Sequence, residues 1–257
     1  MVDPAVKAKH VLETKGITGI PAMSLSNIAN AEHLKYIIDR YPGDPKLDGM
    51  LLFKSGKPKA IVVNTLKGNT GKHNFTFAHE LGHYFLNHPP SILRDGQSVI
   101  RCSAEDIEDA QKPREVEANK FAAELLMPED RFRFDMVGAE IDFPLIRGLS
   151  NRYMVSKLAC IIRILSFTHT PCIVIRSNPN GSFVYDASRA ARGFLKNTKT
   201  VPSDTAAYAA LKRRWGDDDF VPCAAEKWLQ KSVPSNMIHE CTHVHVDSGT
   251  AMTILKW

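Results

Sequence analysis

The sequence contains no CxxC pair, and its five cysteines (Cys102, Cys160, Cys172, Cys223 and Cys241) are odd in number and widely spaced. That pattern argues against a disulfide framework and against a cysteine-based zinc site. Reduced, mostly buried thiols are the expectation. Long hydrophobic runs are also missing: none approaches the ~20 residues a membrane helix needs, so no membrane partner is expected. The opening stretch MVDPAVKAKHVLETKG is too polar for a signal peptide, which argues against secretion and for a cytoplasmic location. Charge of one sign is not in strong excess, since 33 basic against 28 acidic residues leave a net +5. That balance is compatible with nucleic-acid contact without arguing for it. The chain shows no internal repeat and no low-complexity segment.

What is present is ample for a core: 257 residues, 44% of them hydrophobic, enough for one large domain or two smaller ones. Asp3 and Pro4 read as a helix cap followed by proline in the first turn. Val6, Val11 and Leu12 form the candidate apolar stripe, and Gly16 ends the helix. A short helix is expected over Leu25–Asn30, while Leu34–Tyr41 is ambiguous between helix and strand. Gly49–Lys54 and Lys59–Asn64 read as strands joined by a tight turn at Ser55, Gly56 and Lys57. Thr65–Lys72 reads as a loop. Ser91–Gln111 reads as a long polar connection, its acidic run Glu105–Asp109 a solvated face or short helix.

The centre of the chain is Phe75–His88, FTFAHELGHYFLNH, on a helix expected from Asn74 to about Asn87 and stopped by Pro89 and Pro90. His79 and His83 lie four apart and so share a helix face, where two imidazoles can meet one metal ion. Glu80 is offset by about 100°, beside the ion rather than on it, where a carboxylate can take a proton from water. A zinc ion held this way needs a third protein ligand and an open water position to be catalytic. The helix expected at 113–126, with Pro113 in its first turn and Pro128 past its end, offers Glu115, Glu117 and Glu124. Glu115 shares a face with Asn119 and Ala122. Asn119 can orient a ligating histidine, and small alanines let helices approach. Glu115 is therefore the expected third ligand, Asn119 its supporting amide, and Glu117 the exposed member. His88 is the other candidate, in the pattern H-E-x-x-H-x-x-G-x-x-H. The pattern fails here, because Leu86 stands at its glycine and Pro89 at its last histidine. His88 then reads as a helix-terminal residue, Tyr84 as core packing, and His73 and His169 as structural or exposed.

Further on, helices are expected over Pro144–Tyr153 and Ser156–Ser166. They have helix-turn-helix proportions, with Arg147, Arg152, Lys157 and Arg163 making the pair basic. A helical pair that packs on the core or grips a substrate is the simpler reading. Strands are expected at Cys172–Arg176, Ser182–Asp186, His239–Val246 and Ala251–Trp257, with a helix over Thr205–Trp215. The basic Lys212, Arg213 and Arg214 are offset by Asp217, Asp218 and Asp219. The best division falls near residues 167–171. It separates a 1–168 domain carrying the helical pair at about 144–166 from a 169–257 domain of recognition or sensing.

The run FTFAHELGH, followed by E-x-E-A-N-K-F-A-A-E-L-L-M-P, resembles the ImmA/IrrE family of zinc metallopeptidases. Glu115–Asn119 stands at the family's E-x-x-A-N element, and the upstream DGMLLFKSGKPKAIVVN resembles its entry into the motif helix. The resemblance is strong over about 47–130, looser over 1–46 and 131–168, and weak beyond 170. It implies an α+β fold: a mainly helical, zincin-like domain with a small β-sheet, followed by a C-terminal β-containing α+β domain. It implies Zn2+ held in gluzincin fashion by His79, His83 and Glu115, with Glu80 as the base. It also implies an endopeptidase that cleaves a helix-turn-helix repressor, an antirepressor of mobile elements or stress responses. The alternative is a non-catalytic, zinc-containing regulator that binds a repressor or DNA. A zinc hydrolase of small amides is a third and weaker reading.

Overall fold

The structure, a computed structural model, describes residues 2–92, 97–103, 112–216, 218–234 and 236–257. It is mixed α+β and divides into two compact units, Met1–Val137 with Leu149–Ala159 and Gly138–Gly148 with Cys160–Trp257. Among the described residues no helix is long and apolar enough to cross a membrane.

In the first unit, α1 (Pro4–Thr14) starts where the Asp3 carboxylate accepts from the amide of Ala5 at 2.8 Å. It ends before Gly16, whose φ of 64° suits a residue without Cβ. The buried stripe is Ala8, Val11 and Leu12. Val6, expected in that stripe, is 62% exposed. The spacing explains the difference, since positions i, i+3 and i+4 share a face whereas a residue five before Val11 lies well around the helix. A single 3-10 turn (Pro21–Ser24) leads into α2 (Leu25–Ala31).

Five strands follow: β1 (Lys35–Asp39), β2 (Leu47–Lys54), β3 (Lys57–Asn64), β4 (Ser91–Ile92) and β5 (Ser98–Ser103). They lie in the order β1-β3-β2-β5-β4. The ambiguous segment resolves as β1, parallel to β3. β2 and β3 form a hairpin whose turn residues, Ser55 and Gly56, have φ of 51° and 74°. Positive φ at both central positions is what a two-residue hairpin turn matching strand twist requires.

The expected polar connection at 91–111 contains a buried strand instead. In β5, Val99, Ile100 and Cys102 are buried and Arg101 is exposed, paired with Asp44. Six residues of weak alternation among polar neighbours carry little periodic signal, and pairing to β2 supplies the order. The acidic run Glu105–Asp109 lies outside the described residues.

α3 (Thr70–Phe85) packs on β2 and β3. It begins four residues before the expected start, because the Asn69 side chain accepts from the amide of Lys72 at 3.0 Å and caps it. Its first turn closes on the backbone at 155–156: a Cβ on Gly71 would stand 2.3 Å from the Val155 carbonyl carbon. α4 (Pro113–Leu126) crosses α3 so closely that a Cβ on Gly82 would lie 3.1 Å from Ala118 Cα. At its end the buried Glu124 carboxylate accepts from the Glu129 amide at 3.1 Å. Glu124 thereby binds the first amide of α5 (Glu129–Asp135).

Helices α6 (Phe143–Tyr153) and α7 (Lys157–Phe167) are the helix-turn-helix-like pair, turned at Met154 with φ 53°. Their charges are engaged: Arg147 pairs with Asp218, and Arg152 with Asp135 at 3.1 Å. The second unit contains an antiparallel sheet. Its strands are β6 (Cys172–Ser177), β7 (Phe183–Ala187), β8 (Val221–Ala224), β9 (Met237–His245) and β10 (Thr250–Lys256). Their order is β7-β6-β10-β9-β8. It carries α8 (Ala206–Arg213), and a short α9 (Ala225–Trp228) adjoins β8. Buried Glu240 joins them by accepting from Trp228 Nε1 at 2.8 Å and the Ala206 amide at 2.6 Å.

Candidate metal centre

Two helices and one strand build the site within the first unit. α3 supplies His79, Glu80 and His83, α4 supplies Glu115 and Asn119, and β5 supplies Cys102. Four side chains converge: potential ligand atoms of His79, His83, Cys102 and Glu115 all lie within 4.8 Å of one another, and all four residues are buried. His79 Nε2 and His83 Nε2 are 3.0 Å apart. Glu115 Oε2 is 3.1 Å from the first and 3.3 Å from the second. Cys102 Sγ is 3.4 Å from His83 Nε2 and 3.7 Å from Glu115 Oε2.

Each ring is turned inward by a contact on its far side. His79 Nδ1 lies 3.0 Å from Asn119 Oδ1. The amide oxygen can only accept, so Nδ1 carries the proton and the Nε2 lone pair faces the cluster. His83 Nδ1 lies 2.8 Å from His88 Nδ1, and His88 Nε2 lies 3.0 Å from Glu117 Oε2. A proton on each donor in that chain, from His83 to His88 to Glu117, again leaves the His83 lone pair pointing inward. Burial, with the neighbouring His79 and His88, lowers the His83 pKa to about 4 despite the opposing Glu115. The ring is therefore neutral, as a metal ligand must be. Burial works to raise the Glu115 carboxyl, but its close contacts with His79 and His83 outweigh it and hold it well below the usual carboxylate range. Its other oxygen accepts from Arg114 Nε at 3.2 Å.

Glu80 is fully buried, and both of its carboxylate oxygens lack a hydrogen-bond partner. Burial, with the nearby Glu115 charge, raises its pKa well above the ordinary value, against a lowering contact from Cys102. Room for it comes from Gly49 on β2, where a Cβ would stand 2.7 Å from Glu80 Oε1 and 2.6 Å from Thr76 Cγ2. Alanine in place of a strand glycine ordinarily stabilises. Gly49→Ala should instead destabilise by about 1–3 kcal/mol through overpacking, read by chemical denaturation. Wild-type stability would remove the close approach from the account.

These residues fit a metal ion. Tetrahedral coordination at ~2.0–2.1 Å by nitrogen or oxygen and ~2.3 Å by sulfur separates donors by roughly 3.3–3.6 Å. The donor spacings above bracket that range. Inward lone pairs on two rings and a carboxylate repel one another without a cation among them, and the orphaned Glu80 oxygens want a proton donor.

Reading residues alone missed three members of this arrangement. Cys102 reads from the sequence as one of several reduced, mostly buried thiols, because no CxxC marks it and it falls in a stretch that reads as a polar connection. It is nevertheless the sole cysteine within the stretch of strong resemblance. Glu117 was expected to be exposed, yet its side chain is 28% exposed and bound to His88. His88 is more than a helix end: Asn87, at φ 55°, folds the chain back so that the His88 ring lies edge-on to His83 at 4.9 Å. Tyr84 gives its hydroxyl to Glu32 at 2.9 Å, away from the cluster. His88→Ala should lower metal affinity about 10–100-fold, measured by competition with a chromophoric chelator. An unchanged affinity would show that the His88–Glu117 contact does not orient His83.

Residues 40–165 match the family model of the IrrE N-terminal-like domain (Peptidase_M78). No curated protein matches the sequence. Among solved structures, a Mycobacterium tuberculosis transcriptional regulator superposes with a TM-score of 0.62 at 16% identity, covering 100% of this chain and 76% of that one. At that identity the likeness is one of fold.

Proposed function

Because this chain belongs, through residues 40–165, to the ImmA/IrrE family, we propose that it is a zinc-dependent endopeptidase that cleaves a helix-turn-helix transcriptional repressor and so relieves repression. The observation that carries this is the convergence of His79, His83 and Glu115 beside an unpaired, buried Glu80 carboxylate.

His79, His83 and Glu115 would hold the zinc, with Asn119 and His88 fixing the two rings. When bound, zinc would supply Lewis-acid polarisation of the scissile carbonyl and a lowered pKa for water. Glu80 is the base. Its carboxylate accepts the proton of the attacking water and passes it to the leaving nitrogen. A carboxylate whose pKa is raised by burial is a stronger proton acceptor than an exposed one. Regulation of transcription is the expected setting, since a transcriptional regulator shares the fold. The first unit would act as the peptidase and the second, Gly138–Gly148 with Cys160–Trp257, in recognition or sensing. The protein acts in the cytoplasm on its repressor rather than on DNA, since Arg147 and Arg152 are taken up by Asp218 and Asp135.

The test is incubation of the zinc-loaded protein with helix-turn-helix repressors of its host, beginning with any encoded beside it, with the fragments read by mass spectrometry. Cleavage at one defined bond is expected. An intact repressor across conditions of metal and stress signal would refute proteolysis. The second reading, a non-catalytic regulator, draws on the position of Cys102: four buried protein ligands make a closed site, and closed zinc sites are structural.

A further inference from the structure

We propose that Cys102 supplies the fourth protein ligand to the metal, so that this conformation is a latent form in which a thiolate occupies the position a catalytic water would need. The inference rests on the reading of His79, His83 and Glu115 as zinc ligands and names how that same site is controlled.

The geometry is that of a ligand rather than a neighbour. Sγ stands at coordination spacing from both His83 Nε2 and Glu115 Oε2. Chemistry agrees as well, since zinc is well served by mixed sulfur and nitrogen donors, and a coordinating thiol is deprotonated outright.

The strand places the sulfur there by its register: Cys102 ends the regular run of pairs with β2, opposite Gly49, and an irregularity follows it. β5 pairs with β2 as Ser103 with Leu47 and then Cys102 with Gly49, leaving Asp48 as an extra residue. Such a bulge turns neighbouring side chains and sharpens local twist. Asp48 is held aside by Lys72 at 2.7 Å. β4 pairs with β5 at Ser98 and Val99, and the strand pairing of Arg101–Ser103 is with β2. A shift of those three residues withdraws the thiolate and opens the position beside Glu80. Activation of this peptidase is therefore displacement of β5 at Cys102, and an input that moves this strand switches the enzyme on.

X-ray absorption of the zinc-loaded, full-length wild type tests this without any variant. One sulfur at ~2.3 Å with nitrogen and oxygen donors is expected. Cys102→Ser should keep one equivalent of metal and lose the sulfur. With cobalt in place of zinc, the wild type should show a thiolate-to-metal charge-transfer band that Cys102→Ser lacks. A small hydroxamate should perturb the cobalt spectrum of that variant and leave the wild type unchanged. Repressor cleavage by Cys102→Ser should rise roughly tenfold or more, because a ligand position is opened. A shell of nitrogen and oxygen alone in the stoichiometrically loaded wild type overturns the role of Cys102 and leaves the peptidase reading standing. Failure of the wild type to bind one equivalent of metal overturns both.

Discussion

Glu80→Gln is expected to reduce repressor cleavage by about 10²–10⁴-fold, the contribution of a positioned general acid–base group, while metal content and folding are kept. Glutamine has the shape of glutamate, so the space opened by Gly49 still accommodates it and the candidate ligands His79, His83 and Glu115 are undisturbed. What is lost is the group that can accept and return a proton. Stability should move the other way or not at all. The wild-type carboxylate is buried with neither oxygen bonded, and a neutral side chain there avoids the cost of a buried charge. A loss of cleavage with an unchanged or raised melting temperature would separate catalysis from structure. Cleavage at the wild-type rate by the folded, metal-loaded variant would mean that Glu80 is not the base. Regulation that survives this substitution would favour the non-catalytic reading.

Removing a ligand acts on a different quantity. Glu115→Ala should weaken metal binding by roughly 10³-fold or more, beyond the ten- to hundredfold expected of the outer contacts. It takes away the carboxylate that lies within 3.3 Å of both imidazoles, and the charge that offsets the ion. The effect reaches stability because a metal that binds only the folded chain adds to folding free energy. At a thousand times its dissociation constant that addition is about 4 kcal/mol. For a domain of this size each kcal/mol is worth about 2–4 °C. Stripping the wild type with a chelator should therefore lower its melting temperature by about ten degrees, and Glu115→Ala should begin near that lower value and respond little to chelation. Asn119→Ala should show a smaller loss of affinity, since the ring it orients is still present. A Glu115→Ala protein that binds metal as the wild type does would remove Glu115 from the ligand set.

The two expectations divide the site by chemistry. One concerns a group that never needs to touch the ion, and the other a group without which the ion is poorly held. Their readouts, rate at constant metal content and metal content itself, keep them apart.

Much of this site was legible in the residues because its first requirement is local. A spacing of four on one helix puts His79 and His83 on one face whatever the rest of the fold does, and the adjacent position puts Glu80 beside them. Glu115 and Asn119 follow from the same rule on a second helix, once small residues allow the two helices to meet. The hairpin turn at Ser55 and Gly56 and the α1 boundary at Asp3 and Gly16 are equally local. They are set by backbone conformations that few residues adopt. The tertiary structure decided what depends on contacts between elements. Cys102 reaches the cluster because β5 pairs with β2 in the register that sets it opposite Gly49. His88 returns to His83 because Asn87 takes a left-handed turn, and Glu117 is drawn in as its acceptor. Gly49 matters only because α3 lies against it. Such contacts carry no period along the chain, and each is specified by register and packing between segments dozens of residues apart.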